Sequence, residues 1–176
     1  RPSTFFGEGV VAHVAFGQPT CPDMRAALAK ATREAAADVR LHESGTYVCM
    51  EGPQFSTLAE SNLYRSWNAD LIGMTNLQEA KLAREAEICF AALAFVTDYD
   101  CWHEGEEEVS VEMILQNLQQ NADNAKQIIA ATVPRLKKPR DCVCANALQN
   151  AIVTRAEHIP LERKRILQPI IGKYVS

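Results

Sequence analysis

Ile88-Cys89-Phe90-Ala91-Ala92-Leu93-Ala94-Phe95-Val96, followed directly by Thr97-Asp98-Tyr99-Asp100-Cys101-Trp102, is the stretch on which the fold turns. Its first part carries no charge and has the length of a strand. Such a run predicts a strand covered on both faces, as in a parallel sheet. Two carboxylates, Asp98 and Asp100, then appear at its C-terminal end. Open α/β sheets bind ligands in the crevice beyond the carboxyl ends of their strands. A carboxylate placed there can accept a hydrogen bond from a ligand's amino group, and a protonated one can donate to a ring nitrogen. A lone Asp-x-Asp is more often a solvated turn, so the functional reading depends on what lies upstream.

Upstream stands Glu51-Gly52-Pro53-Gln54-Phe55-Ser56-Thr57-Leu58-Ala59-Glu60-Ser61. Gly-Pro stops a strand and starts a turn. Ser56 or Thr57 can then cap a helix running through Tyr64 to Trp67, with Glu60 completing a capping box on Thr57. Phe55 is the odd residue of this polar connection, because a large aromatic there either plugs the core or walls a pocket. A third segment, Leu71-Ile72-Gly73-Met74-Thr75-Asn76, reads as a short buried strand opening into a helix through about Glu87, with Asn76 and Glu79 as its capping pattern. Thr75 therefore stands where free N–H groups and a helix dipole can meet an anion. Strand, helix and the 88–97 strand form a βαβ unit, whose crossover makes the strands parallel. Thr75 and Asp98 then share one edge of an α/β sheet.

Gly52-Pro53-x-Phe55-Ser56-Thr57-x-Ala59-Glu60, Gly73-Met74-Thr75-Asn76-x-x-Glu79 and Thr97-Asp98-Tyr99-Asp100-Cys101-Trp102, in this order and spacing, resemble the trimeric nucleoside phosphorylases. The likeness runs from about Arg1 to about Val133 and is greatest to the members acting on methylthioadenosine. It implies one α/β domain with a central mixed sheet flanked by helices. It also implies phosphorolysis, in which phosphate attacks the anomeric carbon of the thioribose and adenine leaves. By the same resemblance, Phe55 lines the base and sugar pocket, Met74 lies under the ribose, and Thr75 binds phosphate. Thr97 belongs to the same site, Asp98 faces purine N7 and Asp100 helps receive the exocyclic amino group. Val111 and Ile114 fall where the family surrounds the sugar's 5' substituent. His13 matches a histidine that reaches a neighbouring subunit's pocket; on its own residues, a histidine in an apolar strand more often has a structural role. The implied assembly is a homotrimer.

Two positions bear on the base. Relatives that prefer 6-oxopurines resemble this pattern but carry Glu at the Ser56 position and Asn at the Asp98 position. A 6-oxopurine offers an N1–H donor that wants a carboxylate, whereas adenine offers an N1 acceptor and an amino donor. Asp98 can accept from the amino group or share a proton with N7 as the base departs, a role that needs a carboxyl pKa raised by a closed pocket. A 6-oxopurine or broad-specificity phosphorylase, a hydrolytic nucleosidase and a non-catalytic nucleoside-binding or assembly module stay open as alternatives.

No Gly-x-Gly-x-x-Gly or Walker-type loop occurs in the sequence. The resemblance puts the family's phosphate loop and basic clamp ahead of Arg1. The chain is therefore expected to be the larger, C-terminal portion of one phosphorylase domain, with the N-terminal portion of the same enzyme as its partner. A length of 176 residues, 47% hydrophobic content and a net charge of −4 fit a soluble globular chain. No basic stripe interleaved with aromatics suggests nucleic acid, and no apolar run is long enough for a membrane span. The expected setting is cytoplasmic, and phosphate is a co-substrate, with no metal or organic cofactor expected. The six cysteines read as reduced thiols, most of them small core hydrophobes, and Cys142-Val143-Cys144 without a companion pair is a poor zinc site. Elsewhere the pattern predicts a strand over 10–15, a helix over 22–39, a hairpin of 39–41 with 46–50, a gate-like charged loop over 102–108, a helix from Ser110 to about Thr132, and two C-terminal helices over about 141–153 and 160–171.

Overall fold

The run from Ile88 to Val96 joins no ladder. In the computed structural model, which describes residues 1–103 and 111–175 (for 111–114 the backbone only), the strands are β1 (Tyr47–Cys49) and β2 (Leu71–Gly73). Exposure still alternates along the run, with Ala92, Ala94 and Val96 exposed and Leu93 and Phe95 half-buried. The period of a strand is present, but a strand also needs a neighbour for its N–H and C=O groups, and apolar character does not specify one. The expected mixed sheet is, among the described residues, a two-stranded parallel one.

The βαβ unit that does form is β1, α2 (Leu58–Ser66) and β2, in the register Tyr47↔Leu71, Val48↔Ile72, Cys49↔Gly73. It replaces the expected hairpin. The Asp70 carboxylate accepts the Thr46 N–H at 2.6 Å, taking a donor that an antiparallel neighbour would need. Gly73 is required at its position, because a Cβ there would lie 1.9 Å from the Tyr47 hydroxyl oxygen.

α2 is closed at both ends by its own residues. Thr57 and Glu60 form the capping box read from the sequence. At the other end Asn68 takes φ 56°, its N–H bonds the Arg65 carbonyl, and the Ala69 N–H bonds the Tyr64 carbonyl. This is a Schellman closure, and Asn tolerates its left-handed residue. α3 (Asn76–Glu85) ends the same way, with Glu87 at φ 55° and the Ile88 N–H on the Ala83 carbonyl at 2.8 Å.

The described residues group into two compact units, each assembled from separated pieces of sequence: Arg1–Met24, Leu77–Ala91 and Lys137–Ser176 in the first, Arg25–Asn76 and Ala92–Leu136 in the second. In the first, Val10, Leu148, Ala151, Ile159, Leu167, Ile171 and Val175 make the core. Its buried charges are partnered, as burial demands. Glu85 accepts from the Thr4 hydroxyl and the Phe5 N–H, both at 2.7 Å. Arg84 donates to the carbonyls of Ala15 and Gln18. The Glu87 carboxylate accepts from Lys173 (2.6 Å), the Tyr174 hydroxyl (2.6 Å) and the Leu148 N–H (3.0 Å).

The last of these bonds falls within residues 141–153, which do not form the expected α-helix. Only a short tight turn forms over Val143–Asn146, and the Leu148 N–H is spent on Glu87 instead of the carbonyl four residues earlier. α5 (Leu161–Ile171) does form over the second expected helix. The expected 10–15 strand is reduced to isolated bridges, Gly7 with Val10 and Ala12 with Ile152.

In the second unit α1 (Pro22–Ala35, belonging to it from Arg25) stops short of its expected end, and α4 (Val111–Thr132) matches the expected span. Ile128 is fully buried. Arg135 bonds both the Ala131 carbonyl and the Glu34 carboxylate, linking the end of α4 to α1. No helix among the described residues is long and apolar enough to cross a membrane.

Candidate active site

β1 and β2 are parallel, so the connections after the two strands leave from the same sheet edge. The ladder extends by one bond, from the Met50 N–H to the Gly73 carbonyl at 2.8 Å. Beyond it the chain turns through Gly52, which takes φ 69°. A Cβ on Gly52 would lie 3.1 Å from the Met74 sulfur. Glycine thus serves twice, for the left-handed backbone and for the close approach of Met74. The Ser56 hydroxyl reaches the Met50 sulfur at 3.5 Å, which ties the polar connection back to the strand end.

The third segment arrives at the same place. The Cys101 thiol contacts the Ser56 carbonyl at 3.5 Å, and the Arg65 guanidinium of α2 lies 3.8 Å from the centre of the Trp102 ring. Tyr99 stacks on His103 with ring centroids 4.5 Å apart, and the Tyr99 and Trp102 rings meet edge-on at 5.7 Å. Three segments far apart in sequence therefore meet beyond the ends of β1 and β2, although the expected βαβ unit with 88–97 as its second strand does not form.

Of the expected site residues, Ser56 and Met74 are half-buried at this meeting point, and Asp100 is half-buried with its carbonyl accepting the His103 N–H at 3.1 Å. Thr97 and Asp98 are exposed, and the Thr97 hydroxyl donates to the Asp98 carboxylate. Phe55 is 82% exposed and plugs no core. Thr75 is exposed immediately before α3; Asn76 is the first helical residue and not its cap. His13 belongs to the first unit, where its N–H bonds the Ala151 carbonyl at 2.8 Å. The side chains of Val111 and Ile114, the Ser110 cap and most of the 102–108 loop lie outside the described residues.

Sequence reasoning missed Arg65, Cys101 and the ring cluster as members. Arg65 stands four residues after the buried Ser61, a helical spacing that places it on the same face. Cys101 carried no signal beyond its neighbours. The Glu60 carboxyl pKa is lowered because the Thr57 N–H and hydroxyl both bond it, and it holds the start of α2. One group able to hold a metal occurs among the described residues, Cys21, Cys89, Cys142 and Cys144, and it lies in the first unit.

Residues 1–134 match the family model of the phosphorylase superfamily. The S-methyl-5'-thioadenosine phosphorylase of Gloeobacter violaceus is 55% identical over 177 residues, covering 99% of this chain and 59% of that protein. Among solved structures, a methylthioadenosine phosphorylase sourced from an antarctic soil metagenomic library superposes with a TM-score of 0.89 at 48% identity, covering 97% of this chain and 60% of the other. The Schistosoma mansoni methylthioadenosine phosphorylase in complex with adenine superposes with a TM-score of 0.68 at 31% identity, covering 76% of this chain and 54% of the other. The chain thus spans 59–60% of the length of such curated relatives.

Proposed function

The chain belongs to the phosphorylase superfamily, and on that premise we propose that it acts in the phosphorolysis of S-methyl-5'-thioadenosine. A phosphate oxygen forms a bond to the anomeric carbon, and the bond from that carbon to N9 breaks. Its electron pair passes to the purine, which takes a proton at N7. The products are adenine and 5-methylthioribose 1-phosphate, so the reaction balances with phosphate and nucleoside alone. In this reading Asp98 supplies or shares the N7 proton and Asp100 accepts from the amino group. Ser56 leaves adenine N1 without an opposing carboxylate. Phe55, Met74 and Thr97 line the base and sugar, Val111 and Ile114 surround the methylthio group, and Thr75 meets phosphate.

The observation that carries the reading is the junction of the Gly52 turn, Met74 and the Asp98–Trp102 segment at one sheet edge. Ser56 is tied there to the segment that bears Asp98. The exposure of Phe55 and Asp98 supports a pocket finished by further surface, and a homotrimer in which His13 visits a neighbour is part of the proposal. So are a cytoplasmic setting and a role in purine and methionine salvage.

The test is steady-state kinetics of the intact gene product with methylthioadenosine, adenosine and inosine, with and without phosphate. Phosphate-dependent release of adenine, with inosine turned over far more slowly, is expected. Phosphate-independent cleavage would make the enzyme a hydrolase, and equal turnover of inosine would remove the roles given to Ser56 and Asp98.

A further inference from the structure

Cys21, Cys89, Cys142 and Cys144 come from three separated parts of the chain, yet their four sulfurs all lie within 4.8 Å of one another. The Cys89 and Cys142 sulfurs are 3.3 Å apart. We propose that these four thiols form a tetrathiolate site for one zinc ion, structural in role and separate from the phosphorolytic site.

The geometry fits the ion. Zinc–sulfur bonds of about 2.3 Å in a tetrahedron put neighbouring sulfurs about 3.8 Å apart, a value between the 3.3 Å of Cys89 to Cys142 and the 4.8 Å limit within which all four sulfurs lie. Small movements of side chains would complete the site. Each ligand gives up its proton when the ion binds, because a coordinating thiol is deprotonated outright. Four thiolates around a divalent cation leave two negative charges in excess, and the structure supplies a partner for them. Arg140 anchors its guanidinium on the Glu87 carbonyl at 2.8 Å and points the same nitrogen at the Cys89 sulfur, 3.7 Å away. Such an outer bond orients a thiolate ligand and offsets its charge. Cys21 and Cys144 are buried while Cys89 and Cys142 are half-buried, so the centre is shielded but has an approach.

Spacing along the sequence hides this site. Cys-x-Cys alone is a poor zinc motif, but the fold brings it the companion pair it lacks, one thiol just before α1 and one just after α3. The site would pin these two positions to the turn at Val143–Asn146. A tetrathiolate set with no open position is the structural kind of zinc site, and such sites add folding free energy directly.

The experiment uses the purified full chain prepared without chelator. Elemental analysis is expected to find about one zinc per chain. After the zinc is removed, Co²⁺ should bind to a single equivalent, giving a near-ultraviolet sulfur-to-cobalt charge-transfer band and the visible bands of tetrahedral cobalt. Alkylation read by mass spectrometry should find Cys21, Cys89, Cys142 and Cys144 protected in the zinc form and open after chelation, with the exposed Cys101 reactive in both. Cys142→Ser and Cys144→Ser should each weaken metal retention; if either variant fails to fold, the cobalt spectrum of the unsubstituted protein still decides. Four reactive thiols with no zinc and no cobalt band would overturn the proposal in favour of an apolar thiol cluster. A mass lower by two hydrogens per bond, with the same cysteines paired, would overturn it in favour of disulfides.

Discussion

Glu87 is the residue whose replacement tests the structure most sharply, because it combines a costly backbone with a valuable side chain. Its φ of 55° costs a residue with a Cβ about 1–2 kcal/mol relative to glycine. In return its carboxylate, almost entirely buried, holds Lys173, Tyr174 and the N–H of the buried Leu148. A hydrogen bond to a charged group contributes about 1.5–3 kcal/mol, but three sharing one carboxylate are not additive, and Lys173 is half exposed and screened. Glu87→Ala keeps the backbone cost and leaves the buried Leu148 N–H without its partner, so about 1–3 kcal/mol should be lost, the penalty for an unsatisfied buried donor. Glu87→Gly loses the same bonds but relieves the backbone, and should be more stable than Glu87→Ala by roughly 1 kcal/mol. That order is the reverse of the usual one inside a helix. Urea unfolding of the three proteins, with unchanged slopes, measures both differences. The pH dependence gives a second handle. Burial pushes the Glu87 carboxyl up, but the bonds from Lys173, Tyr174 and the Leu148 N–H outweigh it, and the pKa ends below its ordinary value of 4.5. The folded state therefore binds fewer protons, so this stability is fully present above pH 4.5 and is lost as pH falls through the lower folded value. Glu87→Gln should flatten that acid limb. Glycine equal to or worse than alanine would refute the reasoning, because the left-handed cap would then carry no cost.

Thr57→Ala should cost about 1 kcal/mol by removing the cap of α2, and the Glu60 carboxyl should rise toward its ordinary pKa, which a carbonyl-detected NMR titration would follow. Gly73→Ala should destabilise by about 1–3 kcal/mol through overpacking against Tyr47, and Tyr47→Phe should recover part of the loss in a thermal melt. Asp98→Asn should slow adenine release by about 10²–10⁴-fold, the usual contribution of one proton transfer, with little effect on melting temperature because the side chain is exposed. Thr75→Val should raise the phosphate Michaelis constant by the equivalent of about 1.5–3 kcal/mol and leave that of the nucleoside unchanged; a fall in stability with both constants intact would make Thr75 a helix-start residue only.

Legibility in the sequence followed the distance over which each feature is decided. The box of Thr57 and Glu60, the span of α5 and the β2-to-α3 junction were readable because each is settled within a few residues. The place of residues 88–97 was not, since apolar alternation identifies an extended segment and not its hydrogen-bonding neighbour. The 141–153 stretch has helical periodicity, but Glu87 captures the Leu148 N–H from sixty-one residues away. The order of the motifs located the candidate site at a sheet edge, while Arg65 and Cys101 join it through contacts that no local pattern encodes. The cysteines are the extreme case, since four singly placed residues acquire a common meaning only after folding.

The interleaving of the two units bears on how the polypeptide is made. The first needs Val10 from near the start, Glu87 from the middle, and Leu148, Ile171 and Tyr174 from near the end. No short continuous stretch leaving the ribosome can bury that core, so Val10 lacks its partners until α5 has been synthesised. The second is available sooner, because all its segments have emerged once Leu136 is clear of the exit tunnel. Contacts of such long sequence separation fold slowly and leave sticky intermediates. The order of emergence thus completes β1, α2, β2 and α4 before the pieces of the first unit are all present.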